Sequence, residues 1–387
     1  MHIALVTETY PPEVNGVALT VQALALGLVA AGHQVDLVRP RQPGAPASQN
    51  SAIDELLVPG LALPRYPGLR FGLPARRTLE RRWRVHRPDA IYVATEGPLG
   101  DSALRAAQHL GIPASTGFHT RFDDFVRHYG AGWLTPIVFA WLRRFHRRAG
   151  ATLVPTEELR QFLVDNRFGN VRVLRRAVDT HLFDPQRRDV ALREGWKAQA
   201  DDPVVIYVGR IAPEKNLDLA VRAFRAIQRE QPQARYVWVG DGPARAALQA
   251  ANPDFIFVGV KHGEDLGRHY ASADLFLFPS LTETFGNVTL EAMSSGIATV
   301  AYDYGAAREY IDDGVNGRRV PREDAEGFVL AARQLARELH LRCGIGAAAR
   351  TAMQGLQPEA VVNAFVALLT DLGRENRHDS PAALESA

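Results

Sequence analysis

One order of segments constrains this chain more than any other feature: a strand run, a loop marked by glycine and proline, an amphipathic helix, then another strand run. His2–Thr7 reads as a buried strand, and Glu8–Gly16 as a loop marked by Pro11, Pro12 and Asn15-Gly16. Val17–Ala31 carries apolar residues at helical spacing, Gly32 ends it, and Gln34–Arg39 is the next strand. Two strands joined through a helix lie parallel, because the crossover returns the chain to the same end of the sheet. Asp89–Ala94, Pro113–Gly117, Ala151–Pro155 and Val171–Leu174 continue the series. The order starts afresh at Val204–Val208, with Leu217–Glu230 as its helix. It proceeds through Tyr236–Val239, Ile256–Val258, Leu275–Phe278 and Thr299–Ala301. Residues 324–340 and 357–370 read as helices and 40–75 as loop. The predicted class is α/β with two parallel-sheet halves, which bind ligands at the carboxyl ends of their strands.

A length of 387 residues exceeds one ordinary core, so two domains are expected. Strand and helix signals fade near residues 180–200, which sets the domains at 1–185 and 186–355. A C-terminal helix at 356–373 is expected to pack back toward the first domain, and the polar tail 374–387 to fray. A formal net charge of +2 argues against general nucleic-acid binding. Cys343 is the single cysteine, so no internal disulfide forms and a reducing cytosol fits. Met1–Val6 is apolar but lacks a preceding basic region and is cut short by Glu8, which makes it a strand and not a signal peptide. No apolar run approaches the ~18 residues of a membrane span.

The stretch Pro279–Gly296 carries the densest functional signal. It follows the strand Leu275–Phe278 and opens a helix, with Thr284 as expected N-cap and Gly296 as its stop. Main-chain N–H groups near Phe285, Gly286 and Asn287 then lack helical partners and favour an anion. Glu283 and Glu291 frame this point, eight residues or about 12 Å apart at helical rise. That layout suits two groups binding hydroxyls at opposite ends of an anionic ligand. The competing reading is a core helix with a solvated Glu at each end.

Other candidates lie at strand ends. Arg210 and Lys215 flank the loop after Val204–Val208 and offer two cations for a diphosphate. Lysine occurs only at 197, 215 and 261 in a chain otherwise rich in arginine, which singles out Lys215. His119, just past Pro113–Gly117, can bond a substrate hydroxyl or phosphate, or be a satisfied loop histidine. Gly16 opens the first helix, again with a plain turn as the alternative. Neither a Gly-x-Gly-x-x-Gly nor a Gly-Lys-Ser/Thr loop follows the first strand. Two basic, aromatic-interleaved patches stand out. One runs from Arg65 to Arg87 and includes Arg70, Arg76, Arg77, Arg81 and Arg82, with Tyr66, Leu69 and Trp83 among its apolar residues. The other holds Trp141, Arg143, Arg144, Arg147 and Arg148. Such helices can lie on an anionic membrane, or be solvated faces whose aromatics pack inward.

Several of these loops together resemble one family, the retaining glycosyltransferases of family four. The matching pieces are Pro11-Pro12 to Gly16, Phe118-His119-Thr120, Val178-Asp179 to Phe183, Gly209 to Asn216, Gly240 to Pro243, and Glu283 to Glu291, in the family's order. The Asn15-Gly16-Val17 loop and Ala301–Ala307 look most like the bacterial glycolipid branch, which holds GDP-mannose-dependent mannosyltransferases and sulfoquinovosyl- or glucuronosyl-diacylglycerol synthases. The resemblance implies the GT-B fold, two Rossmann-like domains facing a cleft. It implies hexose transfer from a nucleotide-sugar, GDP-mannose or a UDP-hexose, to a lipid or saccharide acceptor. It implies no cofactor and no required metal. By position, Glu291 would hold the ribose hydroxyls, Glu283 the hexose hydroxyls, and Arg210 and Lys215 the diphosphate. Thr284, Phe285, Gly286 and Asn287 would help at the helix start, with Gly16 from the other domain; His119 would contact the sugar and Val260 the base. Ala177 stands where the family often has Gly, and Asn15 where many members have a second Gly, which bears on how closely the donor phosphate approaches. The competing readings are a sugar-nucleotide epimerase and a non-catalytic interaction protein that has kept the fold. The expected location is cytoplasmic, with the arginine patches offering peripheral attachment to the inner face of the cytoplasmic membrane.

Overall fold

The computed structural model describes residues 1–378 except 14, 43–51, 63–69, 120–134, 282 and 284. The chain forms two compact units. One comprises Met1–Arg176 with the C-terminal stretch from Pro358, and the other Ala177–Gln357.

The first unit runs β1 (His2–Val6), α1 (Gly16–Ala30), β2 (Gln34–Pro40), β3 (Ile53–Val58), β4 (Gly60–Ala62), β5 (Arg70–Gly72), α2 (Arg76–Val85) and β6 (Ala90–Val93). It continues with α3 (Pro98–Leu110), β7 (Ala114–Gly117), α4 (Thr135–His146), β8 (Ala151–Val154), α5 (Glu157–Asp165) and β9 (Val171–Val173). Seven strands form a parallel sheet in the order β3-β2-β1-β6-β7-β8-β9. The middle strands are buried on both faces, as parallel sheets covered by helices require.

The sequence hides β3 and the antiparallel β4–β5 hairpin inside its loop-rich 40–75. The Asp-Glu pair in β3 is neutralised from afar. Arg39 holds Glu55 at 2.5 Å with both side chains buried, and Arg82 on α2 holds Asp54 at 2.5 Å and Asp36 at 3.2 Å. An isolated edge sequence gives no hint of these partners.

The second unit runs α6 (Val190–Gly195), β10 (Val204–Val208), α7 (Leu217–Glu230), β11 (Arg235–Val239), α8 (Arg245–Ala251), β12 (Ile256–Gly259), α9 (Gly263–Ala271) and β13 (Leu275–Phe278). Next come α10 (Asn287–Ser294), β14 (Ala298–Tyr302), α11 (Ala306–Tyr310), β15 (Arg318–Val320), α12 (Ala325–Arg337) and α13 (Leu339–Met353). Its parallel six-stranded sheet has the order β12-β11-β10-β13-β14-β15. Residues 177–185, expected in the first domain, belong here instead. Val178 N–H bonds Leu356 O at 2.9 Å, and Ser294 Oγ bonds Phe183 O at 2.7 Å.

Two helix boundaries also differ. The expected helix 324–340 ends at Arg337, and a separate α13 follows after Glu338. Buried Arg342 donates to Leu335 O at 3.0 Å and Ala336 O at 2.6 Å, satisfying the carbonyls that the end of α12 leaves open. The buried face of α13 mixes Arg342, Gly346 and Ala349 with Ile345 and Met353, so its apolar period is weak. The final helix, α14 (Pro358–His378), runs on past Arg374, where the sequence predicts fraying. Val362, Phe365, Leu369 and Leu372 form its buried stripe and pack in one core with Val21, Leu24 and Leu28 of α1. Each such side chain contributes roughly 1.5–3 kcal/mol, so this stripe and not propensity holds the helix in place.

Candidate functional site

In the second sheet the chain leaves β10 toward β11 on one side and reaches β13 on the other, so the strand order switches between β10 and β13. Open α/β sheets bind ligands outside the carboxyl ends of the strands at such a point. The two loops there are 209–216 and 279–286, and they carry the candidate cations and Glu283.

Main-chain bonds link these and the neighbouring strand-end loops into a stack. Gly240 N–H bonds Gly259 O at 2.9 Å, Gly209 N–H bonds Val239 O at 3.0 Å, and Ile211 N–H bonds Asp241 O at 2.9 Å. A side chain at Gly240 (φ +137°) would put Cβ 1.9 Å from Gly209 O, so only glycine fits there. Asn216 Nδ2 reaches Pro279 O at 3.3 Å and Tyr207 Oη bonds Arg210 O at 3.0 Å, which together fix the cation loop against the β13 loop.

Lys215 forms an ion pair with Glu283, and Ser280 Oγ donates to the same Glu283 oxygen at 2.8 Å. Both charged side chains are largely covered. The ammonium therefore sits beside the start of α10. Arg210 does not join it. The guanidinium pairs with Glu214 in its own loop and is 64% exposed.

The helix begins two residues later than expected from Thr284. Gly286, at φ +90°, is the N-cap residue, and Thr284 itself lies outside the described residues. That left-handed turn lets the chain swing from the buried Phe285 into α10 without strain. Phe285 O accepts Ala306 N–H at 2.6 Å, so the start of α11 holds the turn from beneath. The first N–H groups of α10 have no intrahelical acceptor and form an anion-binding end. Val260, after β12, is exposed.

Glu291 lies one turn into α10. Tyr270 Oη donates to Glu291 Oε2 at 2.9 Å. Burial pushes the carboxyl up to about 7, and that hydrogen bond pulls the other way. Protein packs round most of the carboxyl, while the residue keeps some exposed surface.

In the first unit, His119 is buried with both ring nitrogens engaged. Arg176 donates to Nδ1 at 2.7 Å, and Nε2 lies 2.9 Å from Tyr92 Oη. A guanidinium only donates, so Nδ1 accepts and the proton of a neutral ring sits on Nε2. Burial, with Arg176 and His146 adding, holds the ring well below its ordinary value. The sequence expectation of a histidine open to a sugar thus meets one satisfied by protein; Thr120, Arg121 and Phe122 lie outside the described residues.

Gly16 is exposed, with nothing within 4 Å of where a Cβ would stand. Asn15 replaces the glycine with a working cap: its Oδ1 accepts Val17 N–H at 3.1 Å and Ala18 N–H at 2.9 Å. Glu8 fills the start of α3, accepting Leu99 N–H at 3.0 Å and also Gly72 N–H. Burial raises its carboxyl above the ordinary range against those bonds. A protein carboxylate thus occupies that helix end.

The two arginine patches separate clearly. In the first, Trp83 is fully buried, Arg82 bridges Asp36 and Asp54, and Arg70 bonds Gly60 O at 2.5 Å. Arg76 pairs with Glu80, and Arg77 and Arg81 are exposed and make no ion pair among the described residues, with Arg81 donating to Arg77 O at 3.3 Å; Arg65, Tyr66 and Leu69 lie outside the described residues. In this first patch the aromatic Trp83 packs inward, and Arg82 ties α2 to β2 and β3 through Asp36 and Asp54. On α4, by contrast, Ile137, Ala140 and Trp141 are exposed beside exposed Arg144 and Arg147. Arg143 bonds Asn166 O at 3.3 Å, and Arg148 pairs with Asp101. An open groove of about 810 Å³ lies along these arginines and Arg167.

Sequence reasoning missed Ser280, Asn216, Tyr270 and Arg176, whose roles come from contacts across the fold. Only Arg176 carried a signal, in its place just before Ala177-Val178-Asp179.

Residues 14–182 match glycosyltransferase family 4, and residues 202–338 match glycosyl transferases group 1. A GDP-mannose-dependent alpha-mannosyltransferase of Mycolicibacterium smegmatis is 35% identical over 335 residues, which span 86% of this chain and 86% of that protein. An alpha-monoglucosyldiacylglycerol synthase of Acholeplasma laidlawii is 26% identical over 338 residues, 82% of this chain and 84% of that protein. Among solved structures, HepE of Anabaena in complex with UDP superposes with a TM-score of 0.76 at 18% identity, covering 96% of this chain and all (100%) of that one. Sucrose-phosphate synthase from Thermosynechococcus elongatus gives 0.75 at 20% identity, covering 96% and 98%.

Proposed function

The chain belongs to glycosyltransferase family 4 and has the GT-B fold of two Rossmann-like halves, and on that premise we propose how its residues move a hexose from a nucleotide-sugar to a lipid acceptor. The proposed donor is GDP-mannose or a UDP-hexose. The relatives named above are transferases and synthases, and the epimerase reading draws no support from them. The observation that carries the proposal is the Lys215–Glu283–Ser280 group beside the free N–H end of α10, at the switch point of the second sheet.

The proposed chemistry follows from charge. Breaking the anomeric C–O bond sends the electron pair to the departing diphosphate and leaves positive character on the sugar. Lys215 and the N–H groups at Gly286 and Asn287 stabilise that oxyanion with charge fixed in advance. The diphosphate replaces Glu283 as the partner of Lys215, and Glu283 turns to the hexose hydroxyls. Arg210 exchanges Glu214 for phosphate; its exposure makes that exchange cheap. Glu291 accepts from the ribose hydroxyls. In a retaining transfer the acceptor oxygen bonds from the face the diphosphate leaves, and its proton passes to the departing phosphate oxygen. Metal independence is part of the proposal: Lys215, and Arg210 once it exchanges Glu214 for phosphate, supply the two cations that neutralise the diphosphate.

The test is a donor panel of GDP-mannose, UDP-glucose, UDP-glucuronate and UDP-N-acetylglucosamine on wild type and Lys215→Met. Turnover with one donor and a loss of roughly 10²–10³-fold in kcat in the variant are expected. A fully active Lys215→Met protein overturns the assignment.

We further propose that α4 rests on an anionic bilayer, which places the protein at the inner face of the cytoplasmic membrane. Among the described residues, no helix is long and apolar enough to cross one. Exposed Ile137 and Trp141 supply an apolar edge, and Arg144 and Arg147 the charge. Replacing Trp141, Arg144 and Arg147 with Ala is expected to weaken binding to phosphatidylglycerol vesicles roughly tenfold or more. Vesicle binding unchanged by that replacement, or by raised salt, refutes it.

A further inference from the structure

We infer that Tyr270 is a positioning residue for nucleotide recognition: it holds one oxygen of Glu291 so that the other is presented to the ribose diol. The inference rests on the nucleotide-sugar reading and adds to it a residue from α9.

Tyr270 is fully buried and its ring is fixed edge-on against Phe183, with centroids 5.6 Å apart, and against Phe276, 6.0 Å apart. Its hydroxyl has little freedom. It donates to Glu291 Oε2 at 2.9 Å and passes Val288 O at 3.4 Å, so carboxylate and helix backbone are both referenced to one rigid ring. The two oxygens of Glu291 differ in consequence. Oε1 has no protein partner among the described residues, yet it is not one of the sealed-off buried atoms that lack a partner. It is the face left open for a ligand that donates. A vicinal diol donates two hydrogen bonds and suits a carboxylate whose rotation is already stopped.

The groups that face the carboxyl are few. Tyr270 of α9 is its hydrogen-bond donor, and Tyr207 of β10, the other ionisable group beside Tyr270, is held neutral by burial. Among the described residues no cation offsets the cost of ionising Glu291, which leaves the tyrosine hydroxyl as the group that favours the ionised form. A structural tyrosine and a positioning tyrosine therefore differ in a measurable way. The second acts on ribose binding and on its pH dependence together.

The experiment is calorimetric titration of the full chain with GDP and UDP and with their 2′,3′-dideoxy counterparts, from about pH 6 to 8.5. Wild type is compared with Tyr270→Phe, Glu291→Gln and the double variant. Tyr270→Phe keeps the buried ring and loses only the hydroxyl. The ionised share of Glu291 at pH 7 is then expected to fall from about a half to about a tenth, a roughly fivefold loss of ribonucleotide affinity. That loss recovers toward pH 8.5 and is absent with the dideoxy ligands. Glu291→Gln erases both the ribose preference and the pH limb, and adding Tyr270→Phe to it costs nothing further. An equal loss on ribo- and dideoxynucleotides, at all pH values, overturns the inference and makes Tyr270 a packing residue. Ribose-blind binding by wild type overturns it as well, while leaving nucleotide binding intact. Binding of neither nucleotide overturns the donor reading and this inference with it.

Discussion

Replacing Glu291 by Gln should stabilise the second unit while removing a ligand contact, and the size of the effect follows from one buried carboxyl. Burial lifts Glu291 from its ordinary 4.5 to about 7. A raised value means that the folded chain binds the proton more tightly than the unfolded chain does. The neutral form's contribution to stability is thus complete below pH 4.5 and is lost as the pH rises through about 7. At about pH 8 both states are ionised, and the gap corresponds to up to about 3 kcal/mol against folding. Gln has the same shape, carries no charge and can still accept from Tyr270. For a unit of this size the gain corresponds to a rise in Tm of roughly 6–12 °C at pH 8, shrinking to a small fraction at about pH 5. The assay is thermal unfolding of wild type and Glu291→Gln at a series of pH values without nucleotide. A Tm difference that does not grow between pH 5 and pH 8 refutes the reasoning.

Two further outcomes are expected. Arg82→Ala leaves Asp36 buried without its guanidinium and should cost roughly 2–4 kcal/mol in denaturant melts, whereas Arg81→Ala on the same helix should stay within about 0.5 kcal/mol; equal effects would show that α2 is merely a charged surface. His119 is held neutral by burial and by Arg176, so its contribution to stability is complete above its ordinary 6.5 and is lost progressively as pH falls from there toward its lower folded value; the stability gap between wild type and His119→Asn should therefore narrow on acidification, and a widening gap would place the ring in its charged form.

The legibility of this protein varied with the range of the interaction that mattered. Strand ends and Gly-rich turns depend on a few neighbouring residues, so Arg210, Lys215 and the Glu283–Glu291 stretch stood out before any fold was known. The cap at Gly286 was missed because Thr284 is the better local capping residue, and only the turn braced by Ala306 moves the helix start onward. The first arginine patch looked like surface because eight arginines stand near a single acid in sequence; Asp36 and Asp54 come from other strands.

The chain by its own pattern determined two α/β halves, parallel sheets and the loops at the carboxyl ends of the strands, because apolar period and turn chemistry act within a dozen residues. Only the tertiary structure decided which charges meet. It paired Lys215 with Glu283, engaged both nitrogens of His119, and set Tyr270 against Glu291. Those choices depend on which distant groups share a low-dielectric interior, where an unpaired charge is costly and a partner from any element is taken.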